Sequence, residues 1–255
     1  MLVTDETPKA KKGVMWLIVL AVLMALVAIA LAVAFAFNSA SELRGFAAQD
    51  DTEAIEAASS DKPQVTNAQT QVINLVGLMG LSADDAVKKI GHGAAVQDEA
   101  PMSSLGFTNE ETVVLTDEKG DALSGTPTVT LGLDANGAVA AASYSAPTSL
   151  LGYGNLSFVD AVSKFHIVET MLAKVGLSGV EEGSVSLPSD RKEFSECGPD
   201  RKTMTSETYT FNGTAQADGA SYSWTATLDY DYTQANETGN LANTVKKITV
   251  SLMPA

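Results

Sequence analysis

A short sequence pattern occurs twice in this chain, and it constrains the fold more than any other feature. Residues 74–90 align without gaps on residues 149–165, and 8 of the 17 aligned positions carry the same amino acid. Chance rarely produces such agreement, so we expect two tandem copies of one structural unit. The identical pairs are Leu75/Leu150, Gly77/Gly152, Leu81/Leu156, Ser82/Ser157, Asp85/Asp160, Ala86/Ala161, Val87/Val162 and Lys89/Lys164.

Each copy has the features of a helix start. A serine can cap the helix, and an aspartate at the third helical position favours the positive end of the helix dipole. The aspartate also precedes a lysine by four residues, a spacing that adds a few tenths of a kcal/mol. A glycine then ends each helix. These residues are Ser82, Asp85, Lys89 and Gly91 in the first copy and Ser157, Asp160, Lys164 and Gly176 in the second.

After each helix the hydrophobic period changes from 3.6 to 2, which predicts three strands per copy. The second helix is predicted to span Phe158–Val175, and turn sequences at 117–120, 134–137 and 217–219 are typical of hairpins. We predict an α+β fold with an N-terminal transmembrane helix, then two tandem units, each of a helix plus a three-stranded antiparallel meander. The predicted strands are Thr112–Thr116, Thr126–Leu133, Ala138–Ser145, Ser206–Thr214, Ser221–Tyr230 and Thr244–Leu252.

The segment Gly80–Gly91, GLSADDAVKKIG, carries a resemblance to known families. It is similar to the capped-helix opening of the units in the beta-lactamase inhibitory protein family and in small outer-membrane assembly lipoproteins. The chain lacks the disulfides of those inhibitors. Residues 72–77, VINLVG, followed by Ala86, more weakly resemble the peptidoglycan-binding PASTA repeat, but the match needs an insertion and lacks the usual proline. Either resemblance implies binding without catalysis.

An uncharged apolar run of 24 residues, Val14–Phe37, precedes both copies. At about 1.5 Å per residue, it is long enough to cross a hydrocarbon core of about 30 Å. Lys9, Lys11 and Lys12 lie on its N-terminal side, so the positive-inside rule predicts a cytoplasmic N-terminus. The alternative is a cleaved signal peptide and a secreted protein, although the apolar segment of a signal peptide is usually only about 7–15 residues long.

These patterns predict five segments. Residues 1–13 are a cytoplasmic tail, 14–37 a transmembrane helix, and 38–71 a flexible stalk that is poor in large apolar side chains. The first repeat occupies residues 72–147 and the second repeat residues 148–255. The predicted location is the cell membrane, crossed once, with the C-terminal domain on the extracytoplasmic side.

Charge and cysteine content exclude some functions. A formal net charge of −15 disfavours binding to nucleic acid or anionic lipid head groups. Cys197 is the only cysteine, which excludes an intramolecular disulfide. The alanine-rich, acidic composition is typical of a bacterial protein, so we interpret the Asn-x-Ser/Thr sequences at Asn155, Asn212 and Asn236 as chance matches.

No pattern in the sequence predicts catalysis, and we expect the protein not to be an enzyme. His92 and His166 lack neighbours at metal-ligand spacing, and Gly152-Tyr-Gly154 is too short for a phosphate-binding loop. We predict no catalytic, cofactor-binding or metal-binding residue and no cofactor. A highly charged loop, Glu181–Lys202, has no counterpart in the first copy, and insertions of this kind often carry specific contacts.

The combined features predict a membrane-anchored extracytoplasmic protein that is a non-catalytic binding or interaction module. Its expected partners are the membrane, through one span, and a protein that contacts the sheets and the charged loop. The alternative is a cell-wall binding or spacer protein whose ligand is peptidoglycan. A divergent hydrolase is a third hypothesis, which requires an acid, a base and a nucleophile that come together only in the folded chain.

Overall fold

The computed structural model describes residues 64–66, 68, 70–91, 94–97, 105–107, 109–116, 121 and 127–255. The α-helices in this part of the chain are α1 (Ala83–Ile90), α2 (Phe158–Ser163), α3 (Ile167–Lys174) and α4 (Thr233–Thr238). The strands are β1 (Ala94–Gln97), β2 (Asn109–Leu115), β3 (Thr128–Leu133), β4 (Val139–Pro147), β5 (Ser195–Cys197), β6 (Met204–Ala217), β7 (Ala220–Asp231) and β8 (Val245–Pro254).

The strands form one antiparallel sheet of eight, in the order β1-β2-β3-β4-β8-β7-β6-β5. We refer to β1–β4 as the first half and to β5–β8 as the second half. The halves join where β4 pairs with β8, from Ala142↔Leu252 to Pro147↔Lys247. The predicted α+β fold of two tandem units, each a helix plus a three-stranded meander, is therefore wrong, because the strands form a single sheet. In separate meanders, β4 and β8 would each leave a row of unpaired backbone groups, and their pairing satisfies those groups.

Each half contains a fourth strand that the sequence did not predict. β1 and β5 are only 4 and 3 residues long, and they pair with β2 and β6 at the two edges of the sheet. Their sequences, AAVQ and SEC, show no alternation of large apolar and polar residues. Short edge strands are stabilised by one neighbour alone, so they carry little periodic signal.

The repeated serines start helices in both halves, as predicted. Ser82 Oγ accepts a hydrogen bond from the Asp85 N–H at 3.2 Å, and Ser157 Oγ accepts one from the Asp160 N–H at 3.1 Å. Gly91 ends α1 with a φ of 77°, a conformation that favours glycine. The repeat therefore corresponds to two capped helices at equivalent points of the chain.

The lysines of the two copies form different contacts. Lys164 pairs with Asp160 at 2.6 Å, the predicted i,i+4 contact. Lys89 does not pair with Asp85, because its ammonium donates instead to the Gly77 carbonyl oxygen at 2.6 Å. The predicted pair is therefore confirmed in the second half and wrong in the first.

The long helix predicted over residues 158–175 is two helices. The chain breaks after α2, and His166 has a left-handed conformation, with φ 46° and ψ 45°, before α3 begins. Beyond the break, Ile167 and Met171 are fully buried, and Phe165, just before it, is partly buried against the core. The break thus changes which apolar side chains face the sheet.

One face of the sheet, which we call the inner face, packs against the helices. The alternate residues of β7 from Tyr222 to Tyr230 are buried there, as the alternation in the sequence predicted. The ring of Phe158, at the start of α2, lies 5.3 Å from the Tyr230 ring and 5.5 Å from the Phe194 ring. Burying aromatic side chains of this size contributes about 1.5–3 kcal/mol each, so this layer is the main source of stability.

The described part of the chain gives no support to the predicted single-pass membrane protein. No helix in the described part of the chain is long and apolar enough to cross a membrane. The run on which the prediction rested, residues 14–37, lies outside the described residues, as do the predicted tail and most of the predicted stalk. The predicted single-pass membrane localisation is therefore not retained.

Candidate functional site

The opposite side of the sheet, its outer face, differs between the two halves. In the first half, Val114 and Ala141 point to this face and are 5% and 0% exposed. The Phe107 ring lies against Gly132 of β3, where an added Cβ would come within 2.6 Å of the ring. Glu110 accepts hydrogen bonds from the backbone N–H groups of Leu105 and Phe107, at 2.9 and 3.3 Å, and fixes this covering segment.

In the second half the outer face is open to solvent. Outward-pointing residues such as Thr210, Asn212 and Thr225 are exposed, while their neighbours along each strand point to the core. Neutral polar side chains continue in two rows across β6, β7, β8, β4 and β3. We call these ten residues the hydroxyl face: Thr210, Thr227, Thr249, Ser145 and Thr128 in one row, and Asn212, Thr225, Ser251, Ser143 and Thr130 in the other.

Hydrogen bonds between strands hold part of the hydroxyl face in register. The hydroxyls of Thr210 and Thr227 lie 2.8 Å apart, and those of Ser145 and Thr249 lie 3.0 Å apart. The second of these contacts joins β4 to β8, and therefore the first half to the second. Cross-strand pairs of this kind contribute roughly 0.2–1 kcal/mol each. The face is thus an ordered polar surface that spans the junction of the two halves.

A groove of about 670 Å³ lies at one end of the hydroxyl face, where β4 ends and β8 begins. We call it the seam groove. Its size is within the range of roughly 300–1,000 Å³ that is common for ligand sites. The lining residues come from both halves. They include the hydroxyl and amide side chains of Thr128, Ser145, Ser149, Asn155 and Thr244, the apolar side chains of Pro147, Leu241 and Val245, and the amines of Lys246 and Lys247.

The two lysines of the seam groove have different environments. The Lys246 ammonium donates to the carbonyl oxygens of Gly154 and Leu156 at 2.8 and 2.9 Å and lies 5.0 Å from the centre of the Tyr230 ring. Burial lowers the pKa of Lys246, and the Glu207 carboxylate partly opposes this effect. Lys247 is exposed, and among the described residues its ammonium has no hydrogen-bond or ion-pair partner. Only Lys247 has all its donors available to a ligand.

The surface beside the seam groove is acidic. Asp229 is the cross-strand neighbour of Lys247, and Asp231 follows it at the end of β7. The Asp229 carboxylate accepts a hydrogen bond from the Thr208 hydroxyl, and that of Asp231 accepts one from the Thr233 N–H at 2.8 Å. The bonds to Thr233 lower the pKa of Asp231. Both carboxylates are therefore bound by groups of the protein itself.

The charged loop Glu181–Lys202, a candidate contact surface in the sequence, is attached to the sheet. Arg191 pairs with the Glu207 carboxylate at 2.9 Å, and Glu207 on β6 is only 2% exposed. The Tyr232 hydroxyl also donates to Glu207, and burial together with this carboxylate raises the pKa of Tyr232. Arg191 thus neutralises a buried charge, which explains part of the charge pattern without a ligand.

The remaining residues singled out in the sequence do not form a reactive site. His166 lies 3.9 Å from the buried Glu169, which accepts hydrogen bonds from the N–H groups of Gly183 and Val185. Cys197 is exposed on the edge strand β5. No group of three or more His, Cys, Asp or Glu side chains able to hold a metal ion occurs among the residues that the structure describes. His92 lies outside them.

The fold and its outer face define a protein built on one sheet, with a helix-covered inner face and an open polar patch opposite. Comparisons with protein-family models, with curated proteins and with solved structures found no match. The resemblances based on Gly80–Gly91 and on residues 72–77 therefore stay predictions. Function has to be inferred from the surface itself.

Sequence reasoning missed the seam groove and found only part of the hydroxyl face. The alternation in β7 puts Thr225 and Thr227 on one face of the strand, and the structure shows that this is the outer face. The groove is lined by residues far apart in sequence, such as Asn155 and Lys247, which lie together because β4 pairs with β8. No local sequence pattern predicts that pairing. The available signal was the Lys246-Lys247 pair at the start of a predicted strand in an acidic chain.

Proposed function

We propose that the protein is a non-catalytic binding module that contacts a partner protein through the hydroxyl face. The single observation that supports this proposal is the asymmetry of the outer face. In the first half, Phe107 covers the outer face at Gly132, whereas the second half leaves Thr210, Asn212 and Thr225 exposed on long, regular strands.

The chemistry of the face is consistent with binding. The hydroxyl and amide groups donate and accept hydrogen bonds, and they carry no charge that must be desolvated when a partner docks. Cross-strand bonds order several of these side chains beforehand, which reduces the entropy lost on association. A polar, mostly preformed surface of this kind is suited to protein recognition.

The test uses the full chain as bait and two matched double variants. Thr210→Arg/Thr225→Arg places two large charges at exposed positions of the hydroxyl face. Ser163→Arg/Ala173→Arg adds the same charge at exposed positions of α2 and α3, on the inner side of the sheet. We expect proteins captured by the parent chain to be retained by the helix variant and lost from the face variant.

Two controls show whether the loss of captured proteins has another cause, either misfolding of the variant or binding to the cell wall. Both variants should unfold within about 0.5 kcal/mol of the parent, because surface substitutions rarely cost more. Sedimentation with purified wall material tests the peptidoglycan alternative, in which the parent chain would enter the pellet. If both double variants capture the same proteins as the parent chain, the hydroxyl face is not the binding surface.

A further inference from the structure

The seam groove differs from the rest of the molecule in its charge. The only charged side chains that line it are Lys246 and Lys247, and none of its lining residues in the described chain is Asp or Glu. The chain as a whole has a net charge of −15. A groove without carboxylates is therefore a local exception on an acidic protein, and its two amines favour an anionic ligand.

The apolar part of the groove indicates what kind of anion fits. Leu241 and Val245 are 37% and 51% exposed, and Pro147 continues the same wall. Exposed aliphatic groups beside an amine suit a side chain with an apolar stem and a charged end, as in glutamate. The hydroxyl of Ser149 and the amide of Asn155 add donors and acceptors for a peptide backbone. The Thr244 hydroxyl donates to the Leu241 carbonyl at 2.8 Å and so adds an acceptor only.

We propose that the seam groove binds an acidic segment of a protein chain, with a carboxylate of the segment paired to Lys247. The inference rests on the proposed function, because the groove lies at one end of the hydroxyl face and shares Ser145 and Thr128 with it. A partner docked on the hydroxyl face would extend its acidic segment into the groove.

Lys246 supports the site without forming the ion pair. Its ammonium is held by the carbonyls of Gly154 and Leu156 and so adds positive charge from within the wall. Lys247 is free to reorient toward the ligand. Removing the Lys247 charge should therefore weaken binding and leave the fold intact.

Two features of the surface oppose an anion and set the conditions of the test. Asp229 and Asp231 are the cross-strand neighbours of Lys247 and Val245, although their carboxylates are bound by the Thr208 hydroxyl and the Thr233 N–H. The overall negative charge also repels an acidic peptide at long range. At about 0.15 M salt the screening length is about 8 Å, so groups in and beside the groove dominate.

The experiment titrates the full chain with a short poly-glutamate peptide at that salt concentration and follows backbone amide signals by NMR. A poly-glutamine peptide of the same length is the neutral probe. We expect the poly-glutamate peptide to bind, with signal shifts at residues 154–155 and 241–247, and the poly-glutamine peptide to bind roughly ten-fold more weakly or not at all. Lys247→Gln should lower the affinity for poly-glutamate roughly two- to five-fold, the range for an exposed ion pair.

Lys174→Gln on α3 is the matched control, since it removes an exposed lysine charge on the opposite side of the sheet. Equal binding of the two peptides, equal effects of the two lysine substitutions, or shifts confined to other regions would each overturn the inference. If the poly-glutamate peptide fails while Thr210→Arg/Thr225→Arg still abolishes partner capture, only the inference fails. If Thr210→Arg/Thr225→Arg captures the same proteins as the parent chain, the proposed function fails. The peptide titration then still shows whether the seam groove binds an acidic segment.

Discussion

Each half of the molecule has four strands and a helix capped by a serine. In each half an aromatic ring also packs on a strand glycine, but the two contacts lie on opposite faces of the sheet. In the first half, Phe107 covers Gly132 on the outer face; in the second, Trp224 covers Gly213 on the inner face, where an added Cβ would lie 2.7 Å from the indole. An aromatic ring over a strand glycine restores packing that the glycine lacks. The two halves therefore differ in which face of the sheet carries the aromatic covering, the outer face at Gly132 and the inner face at Gly213.

The largest expected effect is the difference in stability loss when each of these two aromatic rings is removed. Trp224→Ala should lower the free energy of unfolding by about 3–5 kcal/mol, because it empties part of the main core. Phe107→Ala should cost only about 1–2 kcal/mol, because its ring is half-buried on the outer face. Urea denaturation of both variants checks this order. Equal costs would mean that the outer covering contributes as much as the inner core, and the comparison between the halves would fail.

Alkaline pH should destabilise the protein through buried tyrosines in both halves. Burial raises the pKa of Tyr144 from 10.0 to about 12 and also raises the pKa of Tyr230. Between those values the folded state keeps a proton that the unfolded state loses, so the stabilisation is full below about pH 10 and is lost as the pH rises toward about 12. For Tyr144 alone, about two pKa units correspond to roughly 2–3 kcal/mol. Lys246, whose pKa is lowered by burial, contributes in the opposite direction.

Phenylalanine variants distinguish the two tyrosines. The Tyr144 hydroxyl is buried without a hydrogen bond of good geometry among the described residues, although the Thr70 side chain partly opposes the rise of its pKa. The Tyr230 hydroxyl donates to the Leu156 carbonyl at 3.3 Å. Tyr144→Phe should therefore be neutral or stabilising at neutral pH and should reduce the alkaline loss, while Tyr230→Phe should cost about 1 kcal/mol. Urea unfolding at about pH 7 and about pH 11 measures both effects. A costly Tyr144→Phe substitution at neutral pH would contradict the unpaired hydroxyl.

The charged loop of the second half should depend on one ion pair. Arg191→Ala leaves the Glu207 carboxylate buried without its cation, and we expect a loss of about 2 kcal/mol, less than for a fully buried pair because the Arg191 side chain is 43% exposed. Lys202→Ala, an exposed position in the same loop, should cost under about 0.5 kcal/mol. Thermal unfolding of the two variants provides the measurement. Similar shifts for both would show that Glu207 does not depend on Arg191.

The smallest expected effect concerns the two N-caps. Ser157→Ala and Ser82→Ala each remove a cap worth about 1 kcal/mol. The loss at Ser157 should appear in global unfolding, because α2 buries Phe158 and Val162. The loss at Ser82 should appear mainly as faster amide exchange within α1, where only Ala86 is fully buried. If both variants lower global stability equally, the two helices are equally integrated in the core.

Local patterns predicted local structure well. Capping serines, the Asp218-Gly219 turn between β6 and β7, and the alternation of β7 depend on neighbours in sequence, and the structure confirms them. The Asp134–Gly137 turn also forms, with Asp134 accepting hydrogen bonds from the N–H groups of Asn136 and Ala138. The broken helix at His166 was missed because its apolar spacing is compatible with one continuous helix.

The pairing of β4 with β8 was missed for a different reason. Its partners are about a hundred residues apart, as for Ser145 and Thr249, and nothing in either strand specifies which edge it will meet. The alternation of apolar and polar residues shows which face of a strand is buried, but it does not show which other strand will pair with it. The seam groove depends on this junction, so it could not be derived before the sheet was known.

Native-state amide exchange on the full chain tests the single sheet most directly. The account predicts that the amides of β4 and β8 that bond across the seam, within residues 142–147 and 247–252, exchange only through global unfolding, as slowly as those in the centre of β7. The edge strands β1 and β5 should exchange faster. Rapid exchange of the β4 and β8 amides, at the rates of the edge strands, would show two separate sheets and contradict both the shared hydroxyl face and the seam groove.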